Sequence, residues 1–202
     1  MDSAPLTAAW RPPRRSARTA RWAVIGVLLV MAALTAGWPL IDQAVGDGES
    51  LPAGAVLELG PDDDTATLRV TGAGWVLSRS GSDPRARYAL HRGGVDLAAT
   101  YVALPATTDA ARLWAGLRAV QSVADGGSRL GGPRRVTSAG GADGETGTLT
   151  RDGRAGSATV WPAPGGGYVV EVTVLATKEA GGRALADAAA VARSVTFPPE
   201  AS

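Results

Sequence analysis

The sequence predicts an α+β domain, an antiparallel sheet with two main helices packed on it, preceded by one N-terminal transmembrane helix. Three observations support this fold class. Short segments rich in β-branched residues recur from residue 54 onward, separated by glycine-rich turns. Two further stretches have apolar residues at helical spacing, and one uncharged segment is long enough to span a bilayer. This order of elements is typical of helices that cover an antiparallel sheet.

The uncharged segment is Trp22–Ile41, about twenty residues, which is the length that a helix needs to cross a bilayer core. Five arginines precede it, and acidic residues follow it in a juxtamembrane linker, residues 42–53. The positive-inside rule therefore predicts a disordered, basic cytoplasmic tail at residues 1–21 and an extracytoplasmic domain at residues 54–202. Leu34 lies three residues before the best cleavage site, which favours a retained anchor; a cleaved signal peptide is the alternative.

Composition and charge exclude several classes of function. The chain has no cysteine, so disulfides, thiolate nucleophiles and cysteine ligands for metals are impossible. Residues 51–202 carry fifteen basic and fifteen acidic side chains, so the domain lacks the broad positive field that attracts nucleic acid, and no nucleic-acid partner is expected. Lys178 is the only lysine among many arginines, a bias typical of GC-rich genomes such as those of actinobacteria.

The first half of the domain is predicted to form short strands. These are expected at Ala55–Leu59, Thr65–Val70, Trp75–Leu77, Arg87–His91 and Gly94–Val102. Asp62–Asp64 end the first of them, and Gly72 and Gly74 separate the second from the third, so turns are expected at both places. Trp75 follows directly and is expected to insert into the core at a strand edge. Arg92-Gly93-Gly94 between two strand-like segments predicts a hairpin.

The second half contains both predicted helices. A helix from Thr107 or Thr108 to about Ala124 is expected because apolar residues, among them Trp114 and Leu117, recur at helical spacing. Strands are expected at Arg135–Ser138, Glu145–Arg151, Gly156–Trp161 and Tyr168–Leu175. The last of these is β-branched almost throughout, which predicts a central position in the sheet.

The chain end is predicted to close the core. A final helix is expected at about Glu179–Ser194. Its buried side is expected to comprise Ala184, Leu185, Ala188, Val191 and Val195. Phe197 follows this helix and is expected to cover the remaining edge of the core.

This order of elements resembles the Mog1/PsbP-like fold, which includes actinobacterial cell-envelope proteins. The resemblance covers about residues 66–197. It is carried by LRVTGAGW with Trp75, YALHRGGVDLAATYV, TDAARLWAGLRAV, GYVVEVTVLAT and the closing VARSVTF. Ala73-Gly74-Trp75 replaces a proline-glycine-tryptophan turn that occurs often in this fold. The resemblance implies a domain that binds other proteins or serves as an accessory subunit, and it implies no site residue.

No constellation of catalytic or metal-binding residues stands out in the sequence. His91 is the only histidine, so a multi-histidine metal site is impossible, and we expect it near solvent on its hairpin. Asp62–Asp64 lack the alternation of a calcium loop and are expected to form a solvated turn. Gly165–Gly167 precede a strand rather than a helix, so a turn is expected instead of a phosphate loop. The sequence predicts no catalytic residue, no cofactor and no metal.

Three functions are compatible with these features. The leading hypothesis is a membrane-anchored extracytoplasmic binding or accessory domain that contacts another cell-envelope protein without catalysis. One alternative is a binding module for a lipid or another apolar ligand; Trp75, Trp114 and Trp161 could line its groove, although a core position is favoured for all three. The other alternative is an enzyme, which would need a carboxylate beside His91 in one cleft.

Overall fold

The computed structural model describes residues 48–61, 64–104, 113–119 and 128–199. The chain divides into two compact units, Met1–Gly46 and Asp47–Ser202, and every described residue belongs to the second unit. The predicted cytoplasmic tail and the predicted transmembrane helix lie outside the described residues. Within the described ranges, no helix is both long enough and apolar enough to cross a membrane.

The described residues form eleven strands and two helical segments. The strands are β1 (Gly48–Leu51), β2 (Val56–Leu59), β3 (Ala66–Arg69), β4 (Trp75–Ser78), β5 (Arg87–Arg92), β6 (Val95–Ala103), β7 (Arg129–Leu130), β8 (Arg134–Thr137), β9 (Asp143–Arg151), β10 (Arg154–Pro162) and β11 (Tyr168–Ala176). The helical segments are α1 (residues 113–119) and α2 (Gly182–Arg193). The rest of the first predicted helix, residues 107–112 and 120–124, lies outside the described residues. Every strand predicted from the sequence is present, and its ends differ from the prediction by at most two residues.

Antiparallel pairing joins nine of the strands into one sheet. Their order is β1-β4-β5-β6-β11-β10-β9-β7, and β8 also pairs with β9. Strand β11 lies between β6 and β10, which confirms the central position predicted from its β-branched sequence. Strands β2 and β3 form a separate two-stranded sheet. The antiparallel α+β class predicted from the sequence is therefore confirmed for the described domain.

Side chains alternate between two faces of the large sheet. The core face carries the largest buried side chains, among them Trp75, Leu97, Trp161, Val170 and Val172. Helix α2 packs against β3, β6 and β11, and the β2–β3 sheet contributes to the same core. On the other side, which we call the outer face, Trp114 of α1 packs against Val160 and Val169. The two helices therefore lie on opposite faces of the sheet.

The buried stripe of α2 agrees with the sequence at all positions but one. Ala184, Ala188 and Val191 are buried, and Val195 beyond the helix is fully buried. The prediction for Leu185 is wrong, because its side chain is 39% exposed. Leu185 follows Ala184 by one position, and a step of about 100° around the helix turns it away from the core.

The chain end extends the β2–β3 sheet. Thr67 and Thr196 exchange two backbone hydrogen bonds of 2.9 and 3.0 Å, so the segment after α2 pairs with β3. Phe197 is partly buried against the core, and its ring meets the ring of Tyr168 edge to face at a centroid distance of 5.7 Å. Phe197 thus closes the core as the sequence predicted.

The turn between β3 and β4 lies close to an ion pair. Arg92 at the end of β5 donates to Asp187 of α2 over 2.5 Å, and each side chain is only 17% exposed. The guanidinium also lies 5.9 Å from the ring centroid of Trp75. Gly72 has a φ of +78°, and a Cβ there would come within 2.3 Å of the Asp187 carboxylate. The glycine therefore lets the turn approach an ion pair that joins α2 to the β5–β6 hairpin.

Two strands were not predicted from the sequence. Strand β1 lies within the segment predicted as a linker, so the described sheet begins at Gly48 rather than after residue 53. Leu51 is the only apolar residue of β1 and lies buried opposite Trp75. Strand β7 has only two residues, Arg129 and Leu130. One apolar residue in a strand shows no hydrophobic periodicity, so neither strand could be predicted from its own sequence. Both form by pairing with strands that are distant in the chain.

Candidate functional site

The three tryptophans singled out from the sequence do not lie together in one groove. Trp75 and Trp161 have no exposed surface and lie on the core face. The indole N–H of Trp161 donates to the carbonyl of Ala192 in α2 over 3.0 Å, and that of Trp75 donates to Thr71 over 2.9 Å. Trp114 is 4% exposed and packs on the outer face instead. All three side chains contribute to packing.

The contact of Trp114 with the sheet depends on a glycine. A Cβ at Gly147 would lie 2.7 Å from the indole of Trp114, so only glycine leaves room for this ring on β9. Beside the ring, the space bounded by Leu113, Glu145, Val160 and Pro162 measures about 10 Å³. A cavity of this size holds at most one water molecule. The space bounded by these four described residues is therefore too small for an apolar ligand.

The other candidate residues lie in exposed positions. His91 is exposed on β5, opposite Asp96 of β6 and Val76 of β4. Across the described ranges, no three histidine, aspartate or glutamate side chains are grouped so that they could hold a metal ion. Gly165–Gly167 form the exposed turn between β10 and β11. Of the acidic run, Asp64 is exposed in a turn; the two aspartates before it lie outside the described residues.

The described residues line two open grooves at the large sheet. The larger has a volume of about 910 Å³. Its lining includes Arg135, Thr137, Asp143, Glu145, Pro162 and Pro164. Arg135 lies opposite Glu145, and the Thr137 hydroxyl donates to Asp143 over 3.4 Å. Arg135 and Glu145 are thus cross-strand neighbours, and Asp143 accepts a hydrogen bond from Thr137.

The smaller groove, about 380 Å³, lies over β5, β6 and β11, and we call it the Arg87 groove. Its lining includes Arg87, Ala89, His91, Ala98, Arg151 and Thr173. Ala89 lies opposite Ala98, and Ala98 lies opposite Thr173, so three small side chains form a floor across three strands. Arg87 and His91 lie two residues to either side of Ala89 on the same face of β5. The groove is therefore a shallow trough between an arginine and a histidine.

Glu171 lies in the centre of the outer face beside this trough. It is on β11, opposite Thr100 of β6 and Val160 of β10. Burial raises the pKa of its carboxyl above the ordinary value of 4.5, and the guanidinium groups of Arg151 and Arg87 act in the opposite direction. These three side chains form a charged cluster in which two cations act on one partly desolvated carboxylate.

Asp96 at the other side of the trough is already neutralised. Arg154 of β10 reaches across β11 and forms an ion pair with the Asp96 carboxylate. The same guanidinium donates to the carbonyl of Leu175 over 3.0 Å. Asp96 lies opposite His91 in the same trough, so the carboxylate beside His91 that an enzyme would need is present, and it is paired with Arg154.

Sequence reasoning missed this cluster for a physical reason. Arg87, Arg151 and Glu171 come from three strands far apart in the chain, and only the pairing of the strands brings them together. One signal was available: Glu171 is the single charged residue in YVVEVTVLA, a strand expected to be buried. Charged side chains are rarely buried unless they are paired, so this position indicated an arginine partner.

Comparison with known proteins identifies the fold. No family model matches the chain, and no curated protein matches it. Among solved structures, cyanobacterial PsbP (CyanoP) of Synechocystis sp. PCC 6803 is similar with a TM-score of 0.51 and 13% identity, over 73% of this chain and 95% of that one. This similarity confirms the Mog1/PsbP-like fold expected from the sequence.

Two further structures are more distantly similar. LpqN of Mycobacterium tuberculosis, a protein involved in cell envelope biogenesis, has 16% identity and a TM-score of 0.38, over 75% of this chain and 91% of that one. A protein of Bacteroides thetaiotaomicron has 11% identity and a TM-score of 0.38, over 67% of this chain and 46% of that one.

Proposed function

We propose that this protein is a membrane-tethered, extracytoplasmic binding domain that contacts another protein of the cell envelope and performs no catalysis itself. The observation that carries the proposal is the Arg87 groove, an open and charged trough on a rigid antiparallel sheet. Binding residues positioned by such a scaffold are held in place before the partner arrives, which lowers the entropic cost of association.

The charged lining favours a protein partner over an apolar ligand. An apolar ligand would need an enclosed pocket with mainly apolar walls. The described interior instead holds Trp75 and Trp161 in a fully buried core, and the space beside Trp114 is about 10 Å³. The two grooves lined by described residues are open and have guanidinium and carboxylate groups in their walls.

The membrane tether rests on the sequence. Trp22–Ile41 with arginines before it and acidic residues after it supports a single span whose C-terminal side faces outward. A tether of this kind confines the domain to the membrane surface and raises its effective concentration towards other envelope proteins. A weak protein contact in the Arg87 groove would thereby suffice for association.

Site-specific photo-crosslinking in the full chain tests the proposal. A photoreactive residue replaces His91, which is exposed at the groove, or Val56, which is 50% exposed on the β2–β3 sheet, as the control. After irradiation of intact membranes, we expect position 91 to give a discrete crosslinked envelope protein, mapped to one peptide by mass spectrometry. Equal crosslinking from both positions, or none from position 91, would contradict the proposal.

A further inference from the structure

Strand β1, with which the described domain begins, has few contacts that hold it in the sheet. Among the described strands it pairs with β4 alone, at one edge of the large sheet. Gly48, Glu49 and Ser50 are exposed, and Leu51 is the only buried residue of the strand. Segments with few buried apolar contacts open at the lowest free energy in a folded protein. Opening of β1 is therefore expected to cost less than opening of the buried strand β11.

The side chains of β1 add little to its pairing with β4. Glu49 forms an ion pair with Arg79 over 3.4 Å, but the two side chains are 51% and 65% exposed. Ion pairs this exposed contribute little to stability because water screens them. A Cβ at Gly48 would lie 2.3 Å from the Val76 side chain, and glycine loses more conformational freedom on ordering than any other residue. Leu51 is thus the one apolar anchor of the strand.

The chain is fixed to the domain again just after β1. The N–H of Gly54 donates to the carbonyl of Val70 over 2.8 Å, and the N–H of Val70 donates to the carbonyl of Ala55 over 2.8 Å. These two bonds join the chain to the buried residue that follows β3, and they do not involve β1. Release of β1 therefore ends at Pro52 and Ala53, which are both exposed.

We propose that β1 is a releasable strap of the membrane tether: it separates from β4 as a unit while the rest of the sheet stays folded, and its residues then join the linker. This inference rests on the membrane tether of the proposed function. The exposure of three of the four residues of β1 and the separate fixing point at Gly54 carry it.

Release of β1 changes the length of chain available to the tether. Six residues, 42–47, separate the predicted span from β1, and twelve residues, 42–53, separate it from Gly54. A chain extends by at most about 3.5 Å per residue, so release doubles the maximum reach from about 21 Å to about 42 Å. The strap thus sets how far from the membrane the domain can bind a partner.

Cleavage by a glutamyl endopeptidase tests the release, because Glu49 lies within β1 and a protease cleaves chain that has left the fold. The full chain is placed in nanodiscs of neutral lipid, and the fragments are identified by mass. Glu58 is the matched control: it is exposed on β2, another strand of four residues, but β2 has two buried leucines. We expect cleavage after Glu49 to be faster than cleavage after Glu58 by about tenfold or more.

A disulfide between positions 50 and 76 tests whether this cleavage needs release of the strand. Ser50 lies opposite Val76, and opposite residues of an antiparallel pair have Cα atoms about 4.5–5.5 Å apart, a separation that a disulfide can bridge. Because the chain has no cysteine, Ser50→Cys combined with Val76→Cys allows one disulfide within the chain. Oxidation is expected to slow cleavage after Glu49 by about tenfold or more, and the reduced form of the same variant is the matched control.

Leu51→Ala supplies an independent variant. It removes the one apolar anchor of β1, so cleavage after Glu49 is expected to become several-fold faster while the rate after Glu58 stays the same. Faster cleavage at both sites would report unfolding of the whole domain instead of release of the strap.

Three outcomes would overturn the inference: equal rates after Glu49 and Glu58 in the parent chain, no effect of the oxidised disulfide, or equal acceleration of both sites by Leu51→Ala. The crosslinking experiment at position 91 is independent of these rates. If cleavage follows the prediction while crosslinking fails, the strap stands and the contact with an envelope protein is wrong. If crosslinking succeeds while β1 resists cleavage, the proposed function stands and the strap is wrong.

Discussion

Single residues of this domain act through the space and charge around them. At Gly72 the surrounding atoms leave no room for a side chain. At Glu171 burial disfavours the charged form of the carboxyl. Neither effect can be read from the residue type alone. Both follow from side chains that distant strands and helices bring to the same place.

The substitution Gly72→Ala is expected to destabilise the domain. It imposes a positive φ on alanine and places a Cβ 2.3 Å from the Asp187 carboxylate, which disturbs the ion pair with Arg92. We expect the free energy of unfolding to fall by about 2–4 kcal/mol. Gly153→Ala is the control, because Gly153 also has a positive φ but a Cβ at that position would meet no atom within 4 Å. Equal losses for both variants would show that crowding at Asp187 is unimportant.

The pKa of Glu171 predicts a pH dependence of stability. Burial raises this pKa in the folded state, so the folded protein holds the proton more tightly than the unfolded chain does. The stabilisation by this group is therefore complete below its unfolded pKa and is lost as pH rises through the folded pKa. Since glutamine resembles the protonated carboxyl, Glu171→Gln is expected to gain stability relative to the parent chain as pH rises from about 4 to about 7.

Unfolding of both chains at a series of pH values, followed by tryptophan fluorescence, measures this difference. A difference that does not change with pH would contradict the assignment of burial as the main cause. A difference of the opposite sign would mean that Arg87 and Arg151 outweigh burial.

Elements were predictable from the sequence where their pattern is local. Strands β2 to β6 and β8 to β11 have enough apolar or β-branched residues, or flanking turn glycines, to define their bounds. The stripe of α2 follows from helical spacing, with Leu185 as the exception that lies beside it. Strands β1 and β7 have too few apolar residues to show a period, and they exist because β4 and β9 offer free edges for pairing.

The position of α1 on the outer face gives a prediction about how this helix packs against β9. Gly147→Ala places a methyl group 2.7 Å from the Trp114 ring and 3.1 Å from the Gly132 carbonyl, so the helix must shift away from β9. We expect a loss of about 1–3 kcal/mol in the free energy of unfolding and greater exposure of Trp114 to a soluble fluorescence quencher. Gly132→Ala is the control, since a Cβ there meets no atom within 4 Å. Unchanged quenching would show that Gly147 does not position α1.

At the scale of the whole molecule, the sheet order and the assignment of the helices to opposite faces were not predictable. Both depend on pairing between strands distant in sequence, such as β6 with β11, for which no local pattern exists. The candidate site shares this origin, because Arg87, Arg151 and Glu171 meet only through that order. The fold class and the central position of β11, by contrast, follow from composition and element order.

We propose that a membrane-tethered domain binds an envelope protein through the Arg87 groove. The most direct test compares the yield of the crosslinked partner from position 91 in two full-length chains, one with Arg87 and one with Arg87→Glu, in intact membranes. We predict that the charge reversal lowers the yield by about tenfold while the amount of folded protein in the membrane stays the same. An unchanged yield would show that the groove does not make this contact.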